Sequence, residues 1–172
     1  MKVYSRAEWD APPPSGVMAR QEGPEEAFLH YTADRPGTAF GLVTLAQQKA
    51  HLRGIQNYHM DSNGWHDVGY HYVVFQAYGL LTRARIFQGR RAEFVPAAQA
   101  AHNTGTIAIC VVAAEGEPLK RNTRYAIEQA LARHPSLVTL GGHRDVVATS
   151  CPGDPIYASI PQIARAAGLR RY

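Results

Sequence analysis

The chain has 172 residues, 45% of them hydrophobic and 19% charged, which suffices for one buried core and is too short for two large domains. The longest uninterrupted apolar run, Ile107 to Ala114, is far shorter than the ~20 residues that a membrane helix needs, so no membrane span is expected. The formal net charge is +4, but the arginines are dispersed along the chain, so no nucleic-acid partner is expected.

The N-terminal residues 1–26 are predicted to form an extended arm, because they contain the Pro-rich stretch Ala11 to Gly16. The compact part is predicted to begin near Ala27. Met1 to Arg6 shows no apolar stretch followed by a small-residue cleavage site, so no secretory signal is visible and the chain is expected in a cytoplasm.

The first half of the compact part predicts strands and one helix. Ala27 to Tyr31 is a short apolar strand, and Thr38 to Met60, which contains no proline, is predicted to be helical. Tyr70 to Phe75 and Leu80 to Phe87 are predicted to pair as a hairpin, with a turn at Tyr78-Gly79.

In the second half, Thr106 to Val112 is continuously apolar, which is typical of a central strand covered on both faces. Asn122 is predicted to cap a helix that ends at Pro135. Leu137 to Leu140 is predicted to be a strand, and Ile160 to Leu169 the last helix. Strands interleaved with helices predict a single α/β domain in which helices pack on the faces of a mixed central sheet. We expect this domain to be a monomer.

Two histidines stand at the ends of predicted strands, where α/β sheets place their sites: His30 at the end of the strand from Ala27, and His143, which follows Leu140-Gly141-Gly142 at the end of another. Cys151 follows His143 by eight residues. Two imidazoles and one thiolate are a donor set that suits zinc and leaves a fourth tetrahedral position for water. Cys151 and Cys110 are too few for a disulfide framework and are expected to be thiols.

Other interpretations of the same residues remain open. Asp145 is either a hydrogen-bond acceptor behind His143 or only an arginine partner. Cys151 can be a nucleophile with His143 as its base and Asp145 as the orienting group, or merely a small buried side chain. Five other histidines are interpreted as ordinary solvated or hydrogen-bonded side chains: His51, His59, His66, His71 and His134.

Several motifs together resemble, in order and spacing, those of the peptidoglycan recognition protein and type 2 N-acetylmuramoyl-L-alanine amidase family, which includes phage amidase endolysins. The similar stretches cover nearly the whole chain: Ser5 to Ala11, Phe28 to Ala33, Tyr58 to Met60, Gly64 to Tyr72, Ala101 to Asn103 with Thr106 to Ile109, and Gly142 to Asp145 with Cys151 to Asp154. A single stretch would be weak, whereas the ordered set is specific.

The resemblance implies a zinc ion held by His30, His143 and Cys151. It also implies a catalytic tyrosine at Tyr70 and a second polar catalytic residue at Thr149, a position where members of the family carry lysine or threonine. Because members that keep the cysteine are typically hydrolases, the resemblance favours an enzyme over a module that only binds muropeptides, which is the main alternative.

The implied reaction is hydrolysis of the amide bond between N-acetylmuramic acid and L-alanine in peptidoglycan, with residues 27–172 as the zinc amidase catalytic domain. His102 and Asn103 are predicted to contact substrate, although His102 is also a candidate for moving a proton to the leaving amine. Tyr31, which stands where a second histidine often occurs, is predicted to line the groove or to pack in the core. Ala108 replaces a common glycine, a change that is expected to affect packing alone.

With no visible secretory signal, the resemblance favours a phage or prophage endolysin that waits in the host cytoplasm before it reaches the cell wall. A bacterial enzyme of cell-wall remodelling is the alternative.

Overall fold

The computed structural model describes residues 1–38, 44–78 and 83–172. Within these ranges, one mixed sheet contains seven strands: β1 (Val3–Tyr4), β2 (Glu26–Tyr31), β3 (Tyr72–Phe75), β4 (Arg85–Gln88), β5 (Thr106–Val112), β6 (Thr139–Gly142) and β7 (Arg170–Arg171). Their spatial order is β1-β4-β3-β5-β2-β6-β7. The β3–β4 pair is antiparallel, and the other neighbouring pairs are parallel.

Three α-helices accompany the sheet in the described part of the chain: α1 (Leu45–Asn57), α2 (Arg121–Leu131) and α3 (Asp154–Ala166). Shorter helical turns span Ala7–Trp9, Tyr58–Ser62 and His143–Asp145. None of the described helices combines the length and apolar character that a bilayer-crossing segment requires.

The core has two layers, one on each face of the sheet. One face carries Leu29, Ile107 and Ile109 and is covered by α2 and α3 through Ile127 and Ile163. The opposite face carries Val73, Phe75, Phe87 and Cys110, and Trp9 and Leu52 of α1 cover it. All seven residues of β5 are buried, as its continuous apolar sequence predicts for a strand enclosed on both sides.

The predicted fold class, the strand over 27–31, the hairpin and the central strand are confirmed. The predicted helix over 38–60 is confirmed from Leu45, because Thr44 caps it: the Thr44 hydroxyl accepts from the Gln47 amide, and the Gln47 side chain accepts from the Thr44 amide. Residues 39–43 of that prediction and residues 79–82 of the hairpin turn lie outside the described residues.

Three predicted boundaries are wrong. The first is the helix cap predicted at Asn122. Helix α2 begins at Arg121, and the residue at its N-cap position is Lys120, whose side chain makes no capping hydrogen bond. Strand β6 begins two residues later than predicted. Helix α3 begins six residues before Ile160, because a proline in the first turn, Pro155, lacks only an N–H that has no helical partner there.

Residues 1–26 contribute to the sheet and to the core. Strand β1 pairs with β4, and Trp9 is fully buried while its indole N–H donates to the Gln88 carbonyl at 2.7 Å. The compact part of the molecule therefore begins at Val3 and not near Ala27.

Candidate metal centre

His30 lies at the carboxyl end of β2, which has β5 on one side and β6 on the other. Because side chains alternate along a strand and Leu29 and Tyr31 belong to the core layer under α2 and α3, His30 points to the opposite face. Only 1% of its surface is exposed. An imidazole at this depth needs partners for both ring nitrogens.

His143 emerges beside His30 because of the register between their strands. β2 and β6 are parallel, and Leu29 pairs with Gly142. The residues that follow this pair are His30 and His143, so the two histidines leave the same edge of the sheet together. Their ring centroids are 4.6 Å apart.

The loop after His143 brings Cys151 back to the two histidines. The Arg144 amide donates to the Cys151 carbonyl at 3.0 Å, which closes the loop at its base. Gly142 allows the close approach, because a Cβ there would lie 3.0 Å from Cδ of Pro152 and 2.9 Å from Cδ2 of Tyr157. A side chain at this position would push the loop away from β6.

The three donor side chains converge on one point. Each offers one ligand atom, and the ligand atoms of His30, His143 and Cys151 all lie within 4.8 Å of one another. The Cys151 sulfur is 3.8 Å from Nδ1 of His30. For zinc bound at about 2.0–2.3 Å to nitrogen and sulfur, tetrahedral geometry separates such ligand atoms by roughly 3.5 Å, so the spacing suits this ion.

The protonation states of the two histidines also suit a metal. Burial lowers the pKa of His30 to about 3, with the nearby His143 as a second cause, and burial lowers the pKa of His143 as well. Both imidazoles are therefore neutral at pH 7, and each presents one nitrogen lone pair. Nε2 of His143 is buried and has no hydrogen-bond partner, which marks it as an atom in need of a ligand.

The sulfur of Cys151 needs a cation to ionise. Burial raises the pKa of this thiol to about 11, against the opposing effects of the Tyr31 backbone amide and Arg144. Zinc deprotonates a coordinating thiol outright. The buried, orphaned imidazole nitrogen and the unionised thiol therefore fit a zinc ion, which His30, His143 and Cys151 would hold.

Tyr70 stands next to this set. Its ring centroid is 5.3 Å from that of His30, and it is half-buried two residues before the start of β3. Burial, followed by the influence of the Cys110 and Cys151 sulfurs, raises the pKa of Tyr70 well above its usual value. The phenol therefore keeps its proton and is a hydrogen-bond donor at neutral pH.

Thr149 is exposed on the same loop as Cys151. Its hydroxyl oxygen accepts a hydrogen bond from the Cys151 amide at 3.2 Å. The bond orients the backbone of Cys151 and leaves the hydroxyl proton of Thr149 available for a second partner.

The three predicted substrate contacts have other partners in the structure. Nε2 of His102 lies 2.6 Å from a carboxylate oxygen of Glu26, which begins β2. The Asn103 side-chain oxygen accepts from the backbone amides of Ala98 and Gln99, at 3.0 Å each, and so shapes the loop. The ring of Tyr31 is 8% exposed within the core layer under α2 and α3. Their contacts with substrate stay predictions.

Asp145 is not the orienting partner of His143. Its carboxylate accepts from the Gly142 amide at 2.7 Å, from the Tyr157 hydroxyl at 2.5 Å and from Arg171 at 2.9 Å. The interpretation as an arginine partner is therefore the correct one. A cysteine nucleophile is disfavoured as well, because such a thiol needs a lowered pKa and that of Cys151 is raised.

Gln99 is a residue that the sequence analysis missed. It is fully buried, and its side-chain oxygen is 3.0 Å from Nε2 of His30. No sequence motif predicts that Gln99 is buried next to His30, because a glutamine in a loop is usually exposed. Its place just before the Ala101-His102-Asn103 motif was the one available hint.

Three histidines outside the metal set have structural partners: His59, His71 and His134. His71 is buried, with Nε2 2.9 Å from the Phe94 carbonyl and Nδ1 accepting from the Ala108 amide at 3.1 Å. His134 contacts the Tyr72 hydroxyl at 2.9 Å. Nδ1 of His59 accepts from a backbone amide, while its ring packs 5.4 Å from that of Tyr70.

We expect the buried, neutral His71 to contribute to the pH dependence of stability, together with His30 and His59, whose pKa values burial also lowers. Burial lowers the pKa of His71 to about 3, against about 6.5 in the unfolded chain, so the unfolded state binds one more proton between these values. Stability is therefore full above pH 6.5 and falls by about 1.4 kcal/mol per pH unit for this residue as the pH drops toward 3. Urea unfolding of metal-free protein at pH 7, 6, 5 and 4 measures the slope.

His71→Asn keeps an acceptor for the Ala108 amide and removes the titrating ring. This variant should be less stable at pH 7 and should show a shallower decline with acid. An unchanged slope would show that His71 does not take up the proton.

A groove of about 440 Å³ adjoins Tyr70 on the α1 side of the sheet. His51, Tyr58 and His59 line it together with Thr32 and Asp34. A larger cavity of about 910 Å³ lies near the N-terminal segment, but the side chains that line it include no histidine or cysteine, and its Asp67 is paired with Arg6. Of these two cavities, the groove beside Tyr70 is therefore the one that is lined by a candidate catalytic residue.

The fold and the site define a class: single-domain α/β proteins with two histidines and a cysteine gathered at one edge of a mixed sheet. No family model matches the chain. Among curated proteins, it is 32% identical over 169 residues to peptidoglycan-recognition protein SD of Drosophila melanogaster, covering 93% of this chain and 84% of that one. The chain belongs to the peptidoglycan-recognition protein family.

Relatives with a different name also match. The chain is 29% identical over 167 residues to the human N-acetylmuramoyl-L-alanine amidase, covering 90% of this chain and 27% of that protein. The crystal structure of the Drosophila recognition protein SD superposes with a TM-score of 0.77 at 26% identity, covering 94% of both chains.

The expectation of an endolysin held in a phage host's cytoplasm is wrong. The relatives found are animal proteins, namely Drosophila peptidoglycan-recognition proteins and mammalian N-acetylmuramoyl-L-alanine amidases, and not phage endolysins. The prediction relied on the absence of a visible secretory signal, and an absence of this kind does not identify a compartment.

Proposed function

We propose that this chain is a zinc-dependent N-acetylmuramoyl-L-alanine amidase, which hydrolyses the amide bond between the lactyl group of N-acetylmuramic acid and L-alanine in peptidoglycan. The observation that carries the proposal is the convergence of His30, His143 and Cys151 beside Tyr70. Family membership supports peptidoglycan as the substrate class, and the relatives named amidases support the reaction. All the proposed ligand and catalytic residues lie in the proposed catalytic part, 27–172.

The ligand set defines what the chain's own residues do at the metal. Neutral His30 and His143 each present a lone pair, and Cys151 contributes a thiolate. When bound, zinc supplies Lewis-acid activation of water and of the substrate carbonyl. Because three protein groups converge here among the described residues, a tetrahedral ion would have a fourth position for the reactants, as in catalytic zinc sites.

Tyr70 is proposed to stabilise the transition state. Attack on the amide carbonyl places negative charge on its oxygen, and a fixed donor aimed at that oxygen lowers the barrier. The phenol of Tyr70 remains protonated because its pKa is raised, so it donates over the whole neutral range. The packing of its ring beside His30 holds it next to the ligand set.

Thr149 is proposed to assist from the loop that carries Cys151. Its oxygen is engaged by the Cys151 amide, so its proton is free for the water or the substrate. The groove beside Tyr70 is the proposed site of the muramyl peptide, since Tyr70 lines it and the ring of Tyr70 lies 5.3 Å from that of His30.

A second candidate is a muropeptide-binding module without turnover. What favours it is that relatives named recognition proteins match at 31% and 32% identity, whereas those named amidases match at 29%. The retained ligand set weighs toward the enzyme, because binding a muropeptide does not require a metal-binding thiol.

One assay separates the two candidates. Purified protein is incubated with purified peptidoglycan after zinc loading, after chelation and after re-addition of zinc, and free N-terminal L-alanine is measured. We expect L-alanine termini only in the zinc-loaded samples. His143→Ala should abolish release, whereas His66→Ala, which alters an exposed histidine outside the set, should release them normally.

Peptidoglycan pull-down in the same samples completes the test. Binding without any release of L-alanine termini in zinc-loaded protein would overturn the amidase and support the binding module.

A further inference from the structure

Resting on the proposed zinc site, we propose that Gln99 is a positioning residue that fixes the tautomer of His30 and thereby aims its Nδ1 lone pair at the metal position. Gln99 is neither one of the three proposed zinc ligands nor one of the proposed catalytic residues, Tyr70 and Thr149. It is fully buried behind His30, on the side away from Cys151.

The hydrogen bond between Gln99 and His30 is the first step. The amide oxygen of Gln99 lies 3.0 Å from Nε2 of His30. An oxygen can only accept, so Nε2 of His30 carries the proton. A neutral imidazole has one N–H, and its other nitrogen, Nδ1, is then an acceptor that faces the Cys151 sulfur at 3.8 Å.

The orientation of the Gln99 amide is itself fixed by Thr106. The Gln99 amide nitrogen donates to the Thr106 hydroxyl at 2.8 Å, and that hydroxyl donates to the Asn103 carbonyl at 2.7 Å. If the Gln99 amide were flipped, Thr106 would have to donate to it, and the Asn103 carbonyl would lose its bond. The network therefore directs the oxygen of Gln99 to His30.

The backbone of the loop that carries Gln99 is fixed by Asn103. The Asn103 side-chain oxygen accepts from the backbone amides of both Ala98 and Gln99. Asn103 therefore fixes the backbone of Gln99, and Thr106 fixes its side chain. The oxygen and the nitrogen of the Gln99 amide and the hydroxyl of Thr106 are each hydrogen-bonded, and a buried network joined in this way holds one orientation of the group.

Loss of the acceptor should weaken the metal site. In Gln99→Leu, Nε2–H of His30 would be buried without a partner, so the tautomer with Nδ1 protonated, which cannot bind the metal, becomes competitive. Partners behind a metal-bound histidine change metal affinity by roughly 10–100-fold, and we expect a loss of this size. Gln99→Glu keeps an acceptor for Nε2–H, but Thr106 must then donate to the second carboxylate oxygen and release the Asn103 carbonyl, so we expect near-wild-type zinc affinity together with reduced stability.

Gln21→Leu is the matched control for burial. Gln21 is also a buried glutamine beside β5, and it donates to the carbonyls of Ala92 and Thr106 while accepting from the Gly105 amide. Its hydrogen bonds in the described part of the chain go to Ala92, Gly105 and Thr106 and not to His30. This variant should lose stability in the same way but keep its zinc affinity.

Two readouts test the proposal. Zinc affinity is measured by competition with a chromophoric chelator, and the tautomer of His30 is read from two-bond ¹H–¹⁵N NMR spectra of metal-free protein. We expect one Nε2-protonated form in the wild type, Gln99→Glu and Gln21→Leu, and a mixture in Gln99→Leu. The His30 signals are assigned by their loss in His30→Ala.

Each outcome decides the matter. Wild-type affinity and an unchanged tautomer in Gln99→Leu would overturn the role of Gln99, as would an equal loss of affinity in Gln21→Leu. If the wild-type protein binds no zinc, the proposed function fails, and the tautomer in metal-free Gln99→Leu still decides what Gln99 does.

Discussion

Replacement of Cys151 by serine should abolish both zinc retention and release of L-alanine termini. The thiolate is the only anionic ligand among the three residues, and an alcohol at this position stays protonated at neutral pH and is a far poorer zinc ligand. The two remaining imidazoles should lose zinc readily to a chelator. Metal analysis after dialysis and the peptidoglycan assay measure the two effects on the same sample.

Cys110→Ala is the control that separates a ligand from a cysteine of the core. Cys110 is fully buried in β5 and lies outside the ligand set. This variant should retain one zinc per chain, and it should be less stable because a buried side chain is shortened. Full zinc retention in Cys151→Ser would remove Cys151 from the metal centre and, with it, the basis of the proposed reaction.

The reactivity of Cys151 toward alkylating reagents gives an independent check. A thiolate bound to zinc is shielded, and after chelation the raised pKa of the free thiol leaves little thiolate to react at neutral pH. Slow alkylation is therefore expected in both states at pH 7, with faster reaction only in chelated protein at alkaline pH. Rapid alkylation at pH 7 in metal-free protein would instead indicate that Cys151 is a catalytic nucleophile with His143 as its base.

The metal set was predictable because it depends on features that the sequence displays. His30 and His143 each follow an apolar strand, and parallel strands bring such residues to one edge of a sheet. Cys151 was predicted as the third ligand because it follows His143 closely in the sequence and belongs to a motif of the family. The continuous apolar run of β5 likewise announced a buried central strand.

The features that were missed depend on tertiary contacts without a local signal. Gln99 is buried by the fold of its loop, and its hydrogen bonds to His30 and Thr106 join residues that no spacing rule connects. Trp9 stands just before the Pro-rich stretch Ala11 to Gly16, which predicted an extended arm, yet its indole enters the core beside β4. The start of α3 was hidden because Pro155 suggests a break, although a first turn tolerates it.

Tyr70→Phe should lower the turnover rate by about two to three orders of magnitude while zinc affinity stays unchanged. The substitution removes only the hydroxyl, and loss of one donor to a developing oxyanion has an effect of this size. The ring remains to pack beside His30 and His59, so the site keeps its shape. Initial rates on peptidoglycan and chelator competition measure the two quantities.

Tyr72→Phe is the matched control, because it removes a hydroxyl from the same strand region. The Tyr72 hydroxyl contacts Nε2 of His134 at 2.9 Å, within the layer under α2 and α3, away from the ligand set. This variant should lose about 1 kcal/mol of stability and keep its rate.

Because the pKa of Tyr70 is raised well above 10, the wild-type rate should show no decline from ionisation of this phenol up to about pH 10. Near-normal turnover in Tyr70→Phe would exclude the phenol as the oxyanion donor, and the stabilising role would then pass to Thr149 or to the metal alone.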